Sequence, residues 1–320
     1  MSGPAAVRAF APGSIGNVGP GLDILGLAVA GAGDAVTAER VDGPGISIQD
    51  AGHPDLPTDA ERNTAGMAAR QVLLHAGAAK VGLVLRVEKG LPLSGGQGGS
   101  AASAVAAAVA VNALLGNPLG SESLLECCLA AEEAVAGRHL DNIAPSLLGG
   151  LILVRSLDPI DVVRLPVPDT IRVVLAHPDQ RMLTSDARAA LPEALPLNLA
   201  LRQAAQVGAM VAAFCSGDLA LLGRALDDRI AEPARAALLP GFREAKAAAL
   251  AAGAIGSSIS GSGPTTFALA AGDASADRVA AAMSEAYRAQ GLACRIRVAP
   301  IDRVGARVER AGARTTARRV

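Results

Sequence analysis

Residues 92–103 read Pro92-Leu93-Ser94-Gly95-Gly96-Gln97-Gly98-Gly99-Ser100-Ala101-Ala102-Ser103 and pass directly into an alanine-rich apolar run. Few folds can accommodate such a stretch. Its glycines allow backbone conformations and close approaches that a Cβ would block. The run behind it is patterned as a helix, whose first turn leaves N–H groups unpaired. Those donors, and the partial positive charge at the helix terminus, suit a phosphate. No Lys follows the glycines, so the segment is not the GxxxxGK[ST] loop. Gly96, Gly98 and Gly99 do not make GxGxxG either. A turn without a ligand would satisfy the same pattern. Two further Gly/Ser-rich segments, 11–27 and 256–267, bear on that choice. Three such loops suit three walls of one anion site.

At 320 residues the chain is long enough for two domains with their own cores. Its net charge is −1 and no basic tract precedes the C-terminal residues, which gives no electrostatic case for nucleic acid or a membrane as partner. Only 2% of residues are aromatic, so Leu, Val, Ile and Ala must build the core. Lys80, Lys89 and Lys246 are the only lysines and read as compositional bias, not as functional groups. Cys127, Cys128, Cys215 and Cys294 form no CxxC pair and no zinc spacing; free thiols in a reducing cytoplasm are expected. No signal peptide is evident. The most apolar stretch, 100–116, is broken by Ser103 and Asn112 and reads as a buried helix, not a membrane span.

Val81, Leu83, Leu85 and Val87 alternate with other residues and predict a strand leading into the Pro92 loop. Asn63 stands before an apolar-periodic run and could cap a helix. Helices are predicted near 100–115, 120–136, 195–215, 218–230, 242–252 and 275–290. Strands are predicted at 151–154, 171–176, 266–270 and 292–299. Strands interleaved with helices argue an α+β fold in two halves. The proline-rich segment 157–168 is the expected boundary: residues 1–157 form the first domain and 158–307 the second. The basic, aperiodic tail 308–320 is expected to be disordered.

The order and content of the three loops resemble the GHMP kinases, the family of galactokinase, homoserine kinase, mevalonate kinase and phosphomevalonate kinase. The middle loop matches PxxxGLGSSAA with two departures, Gln97 for Leu and Gly99 for the first Ser. His139-Leu140-Asp141-Asn142-Ile143-Ala144-Pro145 followed by Gly149-Gly150 resembles H-x-D-N-x-A-P-x-x-x-G-G and narrows the likeness to the homoserine kinases. The resemblance runs from residue 8 to about residue 302. It implies a two-domain fold: an ATP-binding domain like ribosomal protein S5, then a ferredoxin-like α/β sandwich. It also implies an ATP:L-homoserine O-phosphotransferase that uses ATP and Mg²⁺ and makes O-phospho-L-homoserine for threonine biosynthesis. The rivals are another small-molecule kinase of the family, mevalonate- or sugar-type, and an inactive member acting as a binding protein. A homodimer is left open.

Phosphoryl transfer needs a phosphate cradle, a metal on hard oxygen ligands and a pocket for the acceptor alcohol. The resemblance assigns the cradle to Pro92 through Ala101, with Ser260, Gly261, Ser262 and Gly263 of the third loop. Asn63 would stand on the adenine side; a plain helix cap is its alternative. Ser100 would meet Mg²⁺, or else simply cap its helix. The resemblance to homoserine kinases, which carry a Glu five residues before the Gly matching Gly137, implies Glu132 as the metal carboxylate in preference to Glu133. Homoserine is a zwitterion: its carboxylate suits arginine forks and its ammonium suits a carboxylate. Thr184, Arg188 and Arg235 fall in the segments resembling the family's carboxylate clamp. Asn17 and Asp23 match the amino-end positions, and His139 and Asn142 would lie near the hydroxyl. Asp141 is either a general base or a group that orders its neighbours. His53, His75 and His177 belong to no motif.

Overall fold

A computed structural model of the chain describes residues 4–309. The first half runs β1 (Ala6–Gly16), β2 (Leu25–Val41), β3 (Gly45–Asp50), α1 (Thr64–His75), β4 (Gly82–Glu88), α2 (Gly99–Leu114), α3 (Ser121–Glu133), α4 (Ile143–Leu148), β5 (Leu151–Leu157) and β6 (Ile160–Leu165). The second runs β7 (Ile171–Pro178), α5 (Thr184–Ala189), α6 (Leu197–Ser216), α7 (Leu219–Ala225), α8 (Ala231–Arg235), α9 (Phe242–Ala251), β8 (Gly256–Ile259), β9 (Thr266–Ala271), α10 (Asp273–Ala289), β10 (Cys294–Pro300) and β11 (Arg307–Glu309).

Two sheets result. The larger is ordered β11-β1-β2-β4-β3, with β5 on β2 and β6 on β5. The smaller is antiparallel in the order β10-β7-β9-β8. Numbered by chain position that is 4-1-3-2, the ferredoxin-like order expected. The 157/158 cut falls inside the β5–β6 hairpin, so sheet membership carries the first half on to Leu165. The chain also returns at its end: β11 pairs with β1. Val308 and Glu309 thus lie in a strand, and residues 310–320 of the tail lie outside the described residues.

The alanine-rich run forms helix α2. Twelve of its sixteen residues are buried, so it is apolar all round and packs against α1, α3, β1 and β2. Alanine side chains let these elements approach closely without losing rotamer freedom. Asn63 caps α1: its Oδ1 accepts the Ala65 N–H at 3.0 Å. β7 and β9 carry apolar residues on both faces because both faces are covered. Val173, Leu175, Phe267 and Leu269 face a core shared with β1, β2 and α6, whereas Val174, Ala176, Ala268 and Ala270 face α9 and α10. That shared core joins the two halves.

The sequence predicts one helix over 218–230; the structure breaks it. Asp228 turns its carboxylate onto the N–H groups of Ile230, Ala231 and Glu232, which ends α7 and starts α8. The β1–β2 pair was not legible, because its small residues give no alternation. Gly26 on β2 sets a further limit. A Cβ there would lie 1.7 Å from the Asp141 carbonyl oxygen, so only glycine lets the Asp141 segment lie against this strand.

Candidate functional site

The three glycine loops close on one cleft of about 450 Å³ between the halves. The middle loop leaves β4 and enters α2 through Gly98, the residue before the helix, which has φ +67°. Gly98, not Ser100, therefore holds the N-cap position, and the capping alternative for Ser100 falls. Gly96 also needs to be glycine: its φ is +70°, and a Cβ would come 2.3 Å from the Ser260 carbonyl oxygen. The third loop is thus pressed against the middle one.

Ser100 Oγ donates to Glu132 Oε1 at 2.8 Å across the cleft wall. Glu132 Oε2 is buried and has no hydrogen-bond partner among the described residues. Burial pushes this carboxyl up, against the hydrogen bond from Ser100 and the charge of Lys89. Glu133 points outward to Arg138 at 3.3 Å. The register that preferred Glu132 thus selects the carboxylate that lines the cleft.

Asp141 is buried beside α4. Its Oδ2 accepts the Asn17 N–H at 3.0 Å. Burial pushes its carboxyl up to about 7; the charges of Asp23 and Glu132 add to this, while the Asn17 bond and Arg188 oppose it. Asn142 Oδ1 accepts from Ser14 Oγ at 3.0 Å, which orients that side chain from the first loop. Asn17 donates its Nδ2 to the Gly261 carbonyl and accepts the Asp23 N–H on Oδ1, each at 3.0 Å.

The expected substrate residues gather at one end of the cleft. Asp23 and Arg188 form a bidentate pair at 2.7 and 2.9 Å. Burial works against the Asp23 charge, but the Arg188 bonds and the charges of His139 and Arg188 outweigh it and hold the carboxyl low. His139 Nε2 lies 2.9 Å from Arg188 Nη2 and its Nδ1 lies 3.5 Å from Asp23 Oδ1. Burial pulls the His139 pKa down and Arg188 pushes the same way, against the charge of Asp23; a neutral ring can accept a hydrogen bond from the guanidinium. Arg235 differs from Arg188. It is 4% exposed and donates only to carbonyl oxygens, of Ala187 and Gly261, both at 3.0 Å. Among the described residues it has no ion-pair partner. A buried cation without a counter-ion is a place for an anion. Thr184 borders the same end.

Not every expected nucleotide residue faces the cleft. Pro92–Gly96, Gly98–Ser100, Asn63, Gly261 and Ser262 do. Gln97, Ala101, Ser260 and Gly263 do not. Ala101 is buried in the α2 core. Ser260 Oγ donates to the Gly96 carbonyl at 2.6 Å, and Gln97 binds Thr265 and Arg297 behind the loop. For Gln97, Ser260 and Gly263 the cause is shared: the third loop grips the back of the middle loop, so part of each faces the other.

Lys89 is not a mere product of compositional bias. Its buried ammonium pairs with Asp34 and donates to the Gly99 carbonyl at 2.9 Å and Ser103 Oγ at 3.0 Å. Asp34 Oδ1 in turn accepts the N–H groups of Gly90 and Leu91. The signal was present: a rare lysine placed immediately before the loop. Arg62 and Arg181 also bring exposed guanidinium groups to the cleft.

Two family models match the chain: "GHMP kinases N terminal domain" over residues 63–150 and "GHMP kinases C terminal" over 210–289. The chain is 41% identical to the homoserine kinase of Chloroherpeton thalassium, over 94% of this chain and 99% of that one. It is 42% identical to the homoserine kinase of Arabidopsis thaliana, over 95% and 84%. The crystal structure of homoserine kinase from Cytophaga hutchinsonii superposes with a TM-score of 0.92 at 40% identity, covering 97% of this chain and 99% of that one.

The raised pKa of Asp141 carries a sign. Its folded value, about 7, exceeds an unfolded value near 4, so the folded state holds the extra proton between them. Stability then falls as pH rises through that window. Asp141→Asn does not titrate. Its stability relative to the parent should therefore be greater at pH 8 than at pH 5, by about 2–3 kcal/mol in urea unfolding followed by circular dichroism. An equal difference at both pH values would show that the carboxyl is not raised.

Proposed function

This chain belongs to the GHMP kinase family, and on that premise we propose that it phosphorylates the hydroxyl of L-homoserine with ATP, giving O-phospho-L-homoserine for threonine biosynthesis. The observation that carries the choice of substrate is Arg235, a buried guanidinium with carbonyl partners only, beside the Asp23–Arg188 pair. A sugar offers no charge to such a set. A hydroxy acid offers only one sign. A zwitterionic amino alcohol offers both: its carboxylate goes to Arg235 and Arg188, and its ammonium to Asp23. The hydroxyl then lies toward His139, Asn142 and the glycine-rich loop, with Thr184 at the rim.

The phosphates of ATP belong at Pro92–Gly96 and Gly98–Ser100, with Gly261 and Ser262 opposite and Asn63 on the adenine side. Ser100 and Glu132 fit Mg²⁺: both are hard oxygen donors, and the unpartnered Glu132 Oε2 is a coordination position in waiting. When bound, Mg²⁺ neutralises charge on the phosphates. The chain's own residues supply positioning. Asp141 holds the Asn17 backbone and stands beside Asn142. It orders the acceptor end, and the hydroxyl proton passes to the transferred phosphoryl group. No described helix is long and apolar enough to cross a membrane. The buried thiols Cys127 and Cys128 fit the reducing cytoplasm, where we place the reaction.

A coupled ADP-release assay against L-homoserine, L-serine, mevalonate and galactose tests the reading. Turnover should be selective for L-homoserine; a higher kcat/KM for mevalonate or galactose would overturn it. For the metal, Glu132→Gln should lower kcat by about 10²-fold or more, with the KM for homoserine within about twofold. Glu133→Gln should match the parent. The reverse order would move the metal to the other carboxylate.

A further inference from the structure

Gln97 stands where the resembling loop motif has Leu, and its surroundings give that departure a purpose. Its backbone carbonyl accepts the Ser14 N–H of the first loop at 3.1 Å. Its Nε2 donates to Thr265 Oγ1 of the third loop at 3.2 Å. Its Oε1 accepts from Arg297 Nη2 on β10 at 3.1 Å. The side chain therefore joins the middle loop to the third loop and to the sheet of the second half, while the backbone of the same residue holds the first loop. Arg297 depends on it in turn. Burial pulls its pKa down to about 10. Its only other acceptor is the Ala30 carbonyl, at 2.7 Å, and it makes no ion pair among the described residues. A leucine at 97 would leave that guanidinium short of a partner.

Thr265 has no spare capacity. A hydroxyl donates once and accepts twice. Its Oγ1 donates to the Gly95 carbonyl at 2.5 Å and accepts from Gln97; His177 Nδ1, at 3.0 Å, takes the remaining place. Ser260 holds the next carbonyl, that of Gly96. In a trans peptide the C=O and the following N–H point in opposite directions. Fixing the carbonyl groups of Gly95 and Gly96 toward the third loop turns the N–H groups of Gly96 and Gln97 the other way. A loop whose carbonyl groups were free could turn negative dipole ends toward an anion instead.

We propose that Gln97 is a positioning residue: by keeping the Thr265 hydroxyl on the Gly95 carbonyl and by anchoring Arg297, it fixes the peptide orientations with which the glycine-rich loop receives the phosphates of ATP, without touching them. This rests on the reading that the loop holds the nucleotide.

Gln97→Glu separates this role from a packing role. A carboxylate keeps the acceptor for Arg297 and adds an ion pair, so the fold is retained. It cannot donate to Thr265, and it attracts that hydroxyl's single proton away from Gly95. The variant should melt no lower than the parent. Its KM for ATP should rise by roughly fivefold, the scale of one lost hydrogen bond, with the KM for homoserine within about twofold. Thr265→Val should give the same split, and Thr265→Ser should restore the parental KM for ATP. A parental KM for ATP in Gln97→Glu and Thr265→Val would overturn the proposal. Ser100→Ala tells the two failures apart. If it impairs use of ATP while the other variants do not, Gln97 alone is misassigned. If it too is silent, the loop does not hold ATP and both readings fall.

Discussion

Three hydrogen bonds from Asn17 fix the frame in which every other group of the cleft works. Its N–H goes to Asp141, its amide NH₂ to the Gly261 carbonyl, and its amide oxygen takes the Asp23 N–H. The first loop is thereby tied to the segment before α4 and to the third loop at once. The backbone bears a cost for this: Asn17, Val18 and Asp23 have φ of +68°, +48° and +62°, a region that a β-branched residue such as Val18 rarely enters. Such conformations persist only where surrounding bonds over-determine them. The Gly261 carbonyl also accepts from Arg235 Nη1. One peptide of the third loop therefore borders both the Arg235 guanidinium and, through its neighbour Ser262, the cleft beside the middle loop.

The charges at the acceptor end follow from that frame. Asp23 is held where Arg188 can grip it with both nitrogens, so these two groups neutralise each other. Arg235 is held too deep to reach a carboxylate of the protein. Arg235 is left as a buried positive charge without an ion-pair partner among the described residues. A ligand that opens the Asp23–Arg188 pair must replace both halves of it. One that brings a single charge leaves a partner unsatisfied, which costs more than the contact it makes. On the proposed reading, selectivity for a zwitterion rests on the protein's own pairing and not on pocket shape alone.

Much of this was legible in the sequence where the signal was local. The glycine-rich turn, the alanine helix and the Asn63 cap follow from spacing along the chain, and the Glu132 register from the resemblance. The ferredoxin-like order followed from the resemblance. What remained hidden depends on contacts between distant segments. Lys89 looked like an isolated cation because its partner Asp34 is 55 residues away. Ser260 and Gln97 sit in loops with a ligand-binding appearance, yet each faces the other loop and not the cleft. The single helix predicted over 218–230 fails because Asp228 finds three backbone donors, a competition that apolar periodicity does not register. Composition marked the three loops as a site. It could not divide their residues between ligand and scaffold.

Calorimetric titration in the presence of a non-hydrolysable ATP analogue measures the central claim most directly. L-homoserine is compared with 4-hydroxybutanoate, which lacks the ammonium, and 3-aminopropan-1-ol, which lacks the carboxylate. Each singly charged analogue should bind at least about tenfold more weakly than homoserine, since each leaves one charged group of the site unpaired. Binding of either analogue as tight as that of homoserine would contradict the account.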